Sequence, residues 1–330
     1  MSLNPPPSPP RPRRRLTPLL VVAIVVALAA ASLGYAFVSG DLFPTSKGPL
    51  HVVDDYGRNV SLSSPPTRIV VLIASAMDIV YDLGLRPLVV GVDCAAGDVY
   101  GDYTPGQVAN WSLSGLPCVS ALPFSESSVL ILHPQLVVAG PGISVSDLDE
   151  LASAGVPALG LNPSNLTGIL HDVTLVGALT GRSSEASALD ATLNASLAQD
   201  ASSLAAVSGR PSVLLTYYAD STGYYTFGPG SFGNSLIDRA GGASITANDS
   251  EANSGEVSGS YVLEADPSII LAGTGFGIGV SNYTVGPYWN ELSAVKDGQV
   301  FGVPATLLTE PGPSMILGIP QILADLHPGT

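Results

Sequence analysis

Charge, sulfur and basic residues are all scarce in this sequence. Its 330 residues include two cysteines, three methionines and four histidines, and only 12% of positions are charged. Neither cysteine has a Cys or His neighbour at ligand spacing, which excludes a structural zinc site. Twelve Lys and Arg stand against 27 Asp and Glu, for a net charge of −15. Arg11, Arg13, Arg14 and Arg15 take four of those twelve, so the chain beyond them is more negative than the total. That balance offers no basic stripe to a phosphate backbone and excludes nucleic acid as a partner.

Catalytic signatures are missing as well. There is no Gly-x-Ser-x-Gly elbow for a hydrolase nucleophile. Gly273-Thr-Gly-Phe-Gly-Ile-Gly279 follows a strand pattern, yet it has neither dinucleotide nor phosphate-loop spacing and reads as a cleft loop. The carboxylates Asp54 and Asp55 fall in a hairpin, and Asp147, Asp149 and Glu150 on a helix face, where water solvates them. The sequence predicts no enzyme, no cofactor and no metal.

What is present is 46% hydrophobic residues, enough for one large or two modest lobes. Residues 1–15 form a Pro/Arg tail. Residues 16–38 are free of charge from Leu16 onward and apolar from Leu19 to Ala31, long enough to span ~30 Å as a helix. A cleaved signal peptide, with Ala29-Ala30-Ala31 as the cut, and an uncleaved anchor both fit; the apolar extension to Val38 favours the anchor. Either way the arginines stay in the cytoplasm and the body faces outside, as a single-pass membrane protein. No cysteine follows the run, so no lipid anchor is expected. Residues 39–48 are a linker.

Two features suit an exterior location. Six acceptor sequons begin at Asn59, Asn110, Asn165, Asn194, Asn248 and Asn282, which predicts exposed, glycosylated positions. Cys94 and Cys118 flank a Gly/Pro/Tyr-rich loop; in an oxidising compartment they form a disulfide, and otherwise two buried thiols.

The body opens with apolar alternation on both sides of Asp55-Tyr-Gly-Arg58, a β-hairpin pattern. Short apolar runs then alternate with helical patterns. Strands are predicted at 68–74, 88–93, 136–139 and 157–161, and helices at 76–83, 127–132 and 145–154. From 166 to 207 the text is rich in Ala and Leu with no internal proline, broken at Gly181-Arg-Ser-Ser: one or two long helices. Alternation resumes with strands at 212–218, 224–227, 268–272 and 299–303. Helices are predicted at 232–240, 261–264, 288–295 and 314–326. The fold class is α/β: lobe 49–165, linking helical segment 166–207, lobe 208–330.

In an α/β lobe, ligands meet the loops at the carboxyl ends of parallel strands. Those loops hold Ser75, Met77, Tyr100, Tyr103, Gly142, Tyr217, Tyr218, Tyr224, Tyr225, Phe276, Tyr283, Tyr288, Trp289 and Glu310. Flat rings with polar tips suit a large, partly apolar ligand, while some of them, Tyr217 and Trp289 foremost, equally suit the core. Each downstream arginine has a structural place, in a hairpin, a turn or an element end, so none is left to clamp an anion. The four histidines read as surface residues.

Several motifs carry a family resemblance. Asp55-Tyr-Gly-Arg-Asn-Val, Pro66-Thr-Arg-Ile-Val and Leu83-Gly-Leu-Arg-Pro-Leu-Val-Val-Gly-Val come first, then Leu132-His-Pro-Gln-Leu-Val-Val. Gly228-Pro-Gly-Ser-Phe-Gly-Asn-Ser-Leu-Ile-Asp-Arg-Ala-Gly-Gly, Ala265-Asp-Pro-Ser-Ile-Ile and Trp289-Asn-Glu-Leu-Ser-Ala-Val-Lys-Asp-Gly-Gln-Val-Phe follow in order. Over roughly residues 50 to 327 the chain resembles the solute-binding proteins that serve ABC importers for vitamin B12, haem and ferric siderophores. The resemblance implies two lobes bridged by a long α-helix, a ligand cleft between them with little closure, and a monomer delivering its ligand to a permease and its ATPase. It implies docking glutamates where this chain has Ser127 and Ser260, with Glu126 and Glu256 adjacent. Taken with the shortage of basic groups, it favours a cobalamin-like corrinoid over haem or a ferric siderophore. The alternative of another class is an adhesion or structural ectodomain.

Overall fold

The structure is a computed structural model that describes residues 49–94, 115–205, 207–250, 252, 255–275 and 277–328. The tail, the apolar run and the linker lie outside the described residues, as do Tyr100, Tyr103, Asn110 and Phe276. No helix among the described residues is long and apolar enough to cross a membrane.

Strands β1 (Leu50–Val53) and β2 (Asn59–Leu62) pair antiparallel, with Leu50, Val52, Val60 and Leu62 turned inward as their alternation requires. Gly57 (φ 77°) supplies the left-handed residue of the turn. The buried Asp54 carboxylate fixes the hairpin: it accepts from Arg58 N (2.8 Å), Arg58 Nη1 (3.0 Å), Tyr56 N (3.1 Å) and Gly160 N (3.2 Å). Arg58 also reaches the exposed Asp149 (2.9 Å), and its Nη1 donates to Ala158 O (3.2 Å), which anchors the hairpin to the first lobe.

That sheet contains β3 (Ile69–Leu72), β4 (Val89–Asp93), β5 (Cys118–Val119), β6 (Leu136–Ala139) and β7 (Ala158–Gly160), all parallel in the order β5-β4-β3-β6-β7. Every residue of β3 and β6 is buried, which explains their unbroken apolar text. Helices α1 (Ala74–Asp82), α2 (Glu126–Leu130) and α3 (Val145–Ser153) cover it; Ser144 and Asp147 form a reciprocal capping box at the start of α3.

Two helices join the sheets, where the resemblance implied one long one. Helix α4 (Leu166–Thr180) is capped by Asn165, whose Oδ1 accepts from Gly168 N (3.0 Å), and it ends at Gly181 in the left-handed region (φ 72°). Helix α5 (Ser183–Leu204) then folds back along it. A Cβ on Gly177 would lie within van der Waals radius of the Ala186 Cβ, and Thr174 donates to Asp190 (3.1 Å). The link is a helical hairpin because Gly181 reverses the chain, not a single straight spine.

The second sheet is mixed. Strands β8 (Ser212–Ala219), β12 (Ile269–Thr274) and β13 (Val300–Pro304) are parallel, β9 (Gly223–Thr226) and β11 (Glu256–Ser258) are antiparallel additions, and β10 (Ala243–Ser244) lies along the start of β8. Helices α6 (Phe232–Arg239), α7 (Gly259–Ala265) and α8 (Ser293–Lys296) pack beside it. The terminal helical text divides into α9 (Thr306–Thr309), α10 (Pro313–Leu317) and α11 (Ile319–Leu326), since Gly312-Pro313 and Gly318 with Pro320 each restart a helix.

One apolar core runs through both lobes. It takes Ile69 and Val71 of the first sheet, Met77 and Val80 of α1, Val173 and Leu193 of the linking hairpin, and Val213, Leu271, Leu307 and Met315 of the second lobe. Parting the lobes would expose those side chains at about 25 cal/mol per Å². The packing therefore favours a fixed arrangement of the lobes over a hinge.

Candidate functional site

The carboxyl ends of the strands bring both lobes together. On the first lobe, β3 leads into Ile73, whose φ of 79° is forbidden ground for a β-branched residue, and then into the start of α1 at Ser75. Such strain is held only where neighbours over-determine the backbone. Here they do: a Cβ on Gly140, after β6, would fall 2.9 Å from Ser75 Oγ and 3.3 Å from Ile73 Cγ2. A Cβ on Gly142 would meet Ile73 Cδ1 at 3.3 Å and Leu122 Cδ1 at 3.7 Å. Ser75 and Gly142 are thus neighbours through Ile73, and Leu122, 69% exposed, offers an apolar surface that sequence reasoning missed. The disulfide Cys94–Cys118 ties the residue after β4 to the first residue of β5, with Cα atoms 4.6 Å apart.

On the second lobe a chain of rings follows the end of β8. Tyr217 lies 5.2 Å from Phe227 and 6.4 Å from Tyr225, and Tyr225 lies 5.3 Å from Tyr218, all between ring centroids. Tyr218 is half exposed and Tyr225 partly so. These rings cluster beside the end of β8, in the loops where the sequence places candidate ligand contacts.

Three of the expected contacts belong to the core. Met77 is buried because α1 turns its apolar face to the linking hairpin and α10. Tyr224 is fully buried, since alternation along β9 turns it inward, and its hydroxyl donates to Pro287 O (2.8 Å). Trp289 stacks near Tyr224 (6.4 Å) and the buried Tyr283 (6.3 Å). None of these side chains has surface to offer a ligand. Tyr288 is half exposed but packs over Gly259, next to Ser260, and so borders the second helix start rather than the ring chain.

The lobes meet through carboxyl groups. Glu310 Oε2 accepts from Ser75 N (3.1 Å), and the buried Asp78 of α1 accepts from Ser314 N (2.7 Å) and Ser314 Oγ (2.9 Å). Burial, then the nearby Asp82 and Glu310, push the Asp78 carboxyl up against the lowering effect of Ser314; burial alone raises Asp82. Burial and the charge of Asp93 raise Glu310 to about 7, although Ser75 N pulls the other way. Sequence reasoning places Glu310 among the candidate ligand contacts; its bond to Ser75 N and the buried Asp78, hidden inside an apolar helical run, are seen only in the structure.

No described basic side chain joins this cluster. Arg68 donates to the carbonyls of Leu132 and His133, Arg86 to Tyr81, Arg182 to Glu185, and Arg210 to Asp238 and the Gly242 carbonyl. No group of three or more metal-ligating side chains occurs among the described residues.

The predicted docking positions open two helices. Ser127 and Ser260 are exposed; Ser127 Oγ lies 3.4 Å from Ser125 Oγ, and Ser260 Oγ 3.0 Å from Ser258 Oγ. Glu126 lines a depression of about 730 Å³ with Asp149 and Glu150, and Glu256 accepts from Thr222 (3.1 Å). The sequon residues Asn59, Asn165, Asn194, Asn248 and Asn282 are all exposed.

Comparison with known proteins agrees with this geometry. The family model described as periplasmic binding protein matches residues 69–307. The chain belongs to the periplasmic binding protein family. A cobalamin-binding protein of Halobacterium salinarum is 26% identical over 320 residues, covering 94% of this chain and 84% of that protein. An uncharacterized ABC transporter substrate-binding lipoprotein of Bacillus subtilis, YvrC, is 24% identical over 288 residues, 86% of this chain and 87% of its own. Among solved structures, the apo haem-binding protein RhuT of Roseiflexus sp. RS-1 aligns with TM-score 0.66 at 22% identity, over 78% of this chain and 97% of that one. Helicobacter pylori CeuE aligns with TM-score 0.70 at 16% identity, over 85% and 89%. The fold is the two-lobed α/β fold of these proteins.

Proposed function

We propose that this periplasmic binding protein captures a cobalamin-like corrinoid in the cleft between its lobes and delivers it to an ABC permease and its ATPase. The observation that carries the reading is the chemistry at the strand ends: phenol-tipped rings at Tyr217, Tyr218 and Tyr225 cluster on the second lobe and Ile73, Leu122 and Gly142 cluster on the first. A corrin is broad, apolar on its faces and ringed by neutral amides, which matches such a surface. A haem or ferric siderophore is the second reading, supported by the exposed phenol of Tyr218, a group able to ligate ferric iron.

The body acts outside the cell as a monomer, held to the membrane by residues 16–38 and coated by glycans at its exposed sequons. Docking uses Glu126 and Glu256 beside Ser127 and Ser260, whose hydroxyls replace charge with hydrogen bonding. Titration calorimetry with cyanocobalamin is the test. Saturation at micromolar affinity or tighter is expected; no heat with corrinoids but saturation with haem or an iron chelate overturns the corrinoid assignment.

A further inference from the structure

Both lobes meet at one carboxyl, Glu310, which accepts from Ser75 N across the lobe boundary. Glu310 sits in Glu310-Pro-Gly-Pro-Ser314, a turn that cannot swing. Its own nitrogen bonds back to Thr306 O (3.2 Å), Gly312 N donates to Glu310 O (2.8 Å), and a Cβ on Gly312 would fall 2.6 Å from Asp78 Oδ2. Oε2 is held by Ser75 N across the lobe boundary. Oε1 accepts no hydrogen bond from a described residue and is not among the fully buried unpartnered atoms.

Its surroundings carry one sign of charge. Asp93 at the end of β4 is close enough to raise the Glu310 carboxyl, and Asp78 and Asp82 lie behind. Arg58, Arg68, Arg86, Arg182 and Arg210 are bonded elsewhere, Arg239 lies near Asp200, and Lys296 donates to Glu291 O. A ligand carboxylate brought to Glu310 would meet two carboxyls and no counter-ion, whereas an amide N–H or a cation would meet a fixed acceptor.

On the reading of the cleft as the binding site, we propose that Glu310 is the specificity-determining residue of that site: its Oε1 accepts from an amide or cationic group of the ligand and excludes ligands that present carboxylates there. The same residue bonded to Ser75 only for architecture would hold the lobes together without regard to ligand charge.

The experiment measures affinity for the full chain and for Glu310→Gln, with melting temperature as a check on folding. The probes are cyanocobalamin, aquacobalamin, cobyrinic acid (the same ring with carboxylates in place of amides), haem and the cationic ferric hydroxamate ferrioxamine B. Wild type is expected to prefer the amide and cationic corrinoids over cobyrinic acid by about tenfold or more, a gap that Glu310→Gln narrows. The gap should widen as pH rises through about 7 in wild type and stay flat in the variant. Equal ranking in the two proteins, or wild-type preference for cobyrinic acid or haem, overturns the role of Glu310. Corrinoid binding blind to ligand charge would sink Glu310 alone. Binding of ferrioxamine B but no corrinoid, weakened by Glu310→Gln, would sink the corrinoid reading and leave Glu310 standing.

Discussion

Asp78 and Ser314, 236 residues apart in sequence, share two hydrogen bonds in the core: the Ser314 nitrogen donates to one carboxylate oxygen at 2.7 Å and its hydroxyl to the other at 2.9 Å. The pair stitches α1 of the first lobe to α10 of the second, where a buried acid with no cation nearby would otherwise be costly. Ser314→Ala removes one donor and should destabilise by about 1 kcal/mol in urea unfolding. Burial raises the Asp78 carboxyl, so the folded state holds a proton that the unfolded chain releases. Its stabilisation is complete below the unfolded carboxylate range and is lost as pH rises through the raised folded value. Asp78→Asn, fixed in the neutral form with an amide that can donate to the Ser314 hydroxyl, should match wild type near pH 5 and exceed it at about pH 8.5. A variant that falls below wild type at both values would show that the charged form is the one held.

A second buried acid makes the same argument at the hairpin. Asp172 of α4 is buried, its Oδ1 has no partner, and burial followed by Asp55 raises its carboxyl to about 9. Asp55 is itself engaged, accepting from Asn162 N (2.6 Å) with His171 at 3.7 Å. Stability from Asp172 is present below about 4 and drains away up to about 9, a loss of several kcal/mol across that window. Asp172→Asn should therefore raise the melting temperature at pH 8 by about 4 °C or more and flatten the alkaline decline. An unchanged pH profile would mean that Asp172 keeps its charge.

Much of this architecture is legible in the residues. The runs at β3 and β6 announce strands covered on both faces, and Gly181 marks the break between α4 and α5. What the text hides is long-range. Whether α4 and α5 stack end to end or fold back depends on Gly177 admitting Ala186 and on Thr174 meeting Asp190, contacts no local pattern reports. The ring-rich loops showed the same limit. Tyr217 and Tyr218 are adjacent, as are Tyr224 and Tyr225, yet a register shift in β8 and strict alternation in β9 send Tyr218 outward and Tyr224 into the core. Asp78 was invisible because its partner lies at the opposite end of the chain.

The disulfide joins cysteines 24 positions apart in sequence. Cross-linking a loop of that length lowers the entropy of the unfolded chain, worth ~3 kcal/mol. Reduction, or Cys94→Ser with Cys118→Ser, should lower stability by about that amount in denaturant unfolding. Because Cys94 follows Asp93, whose charge raises the Glu310 carboxyl, ligand affinity should fall along with stability. Loss of stability with full affinity would confine the bridge to a structural role.

Exposed and buried rings should separate cleanly in a paired experiment. Tyr218 is 46% exposed and touches Tyr225 at 5.3 Å, so Tyr218→Ala deletes ring surface that only a ligand would cover. Its melting temperature should stay within a degree or two of wild type, while affinity drops about tenfold, the worth of one aromatic face. Trp289 is 5% exposed and packs against Tyr224 and Tyr283. Trp289→Ala opens a cavity in the second lobe and should cost about 3–5 kcal/mol of stability, with affinity preserved in whatever fraction remains folded. Calorimetry and thermal melting on both variants give four readings. Affinity loss from Trp289→Ala with intact stability would return that ring to the cleft, and indifference to Tyr218→Ala would remove the ring chain from it.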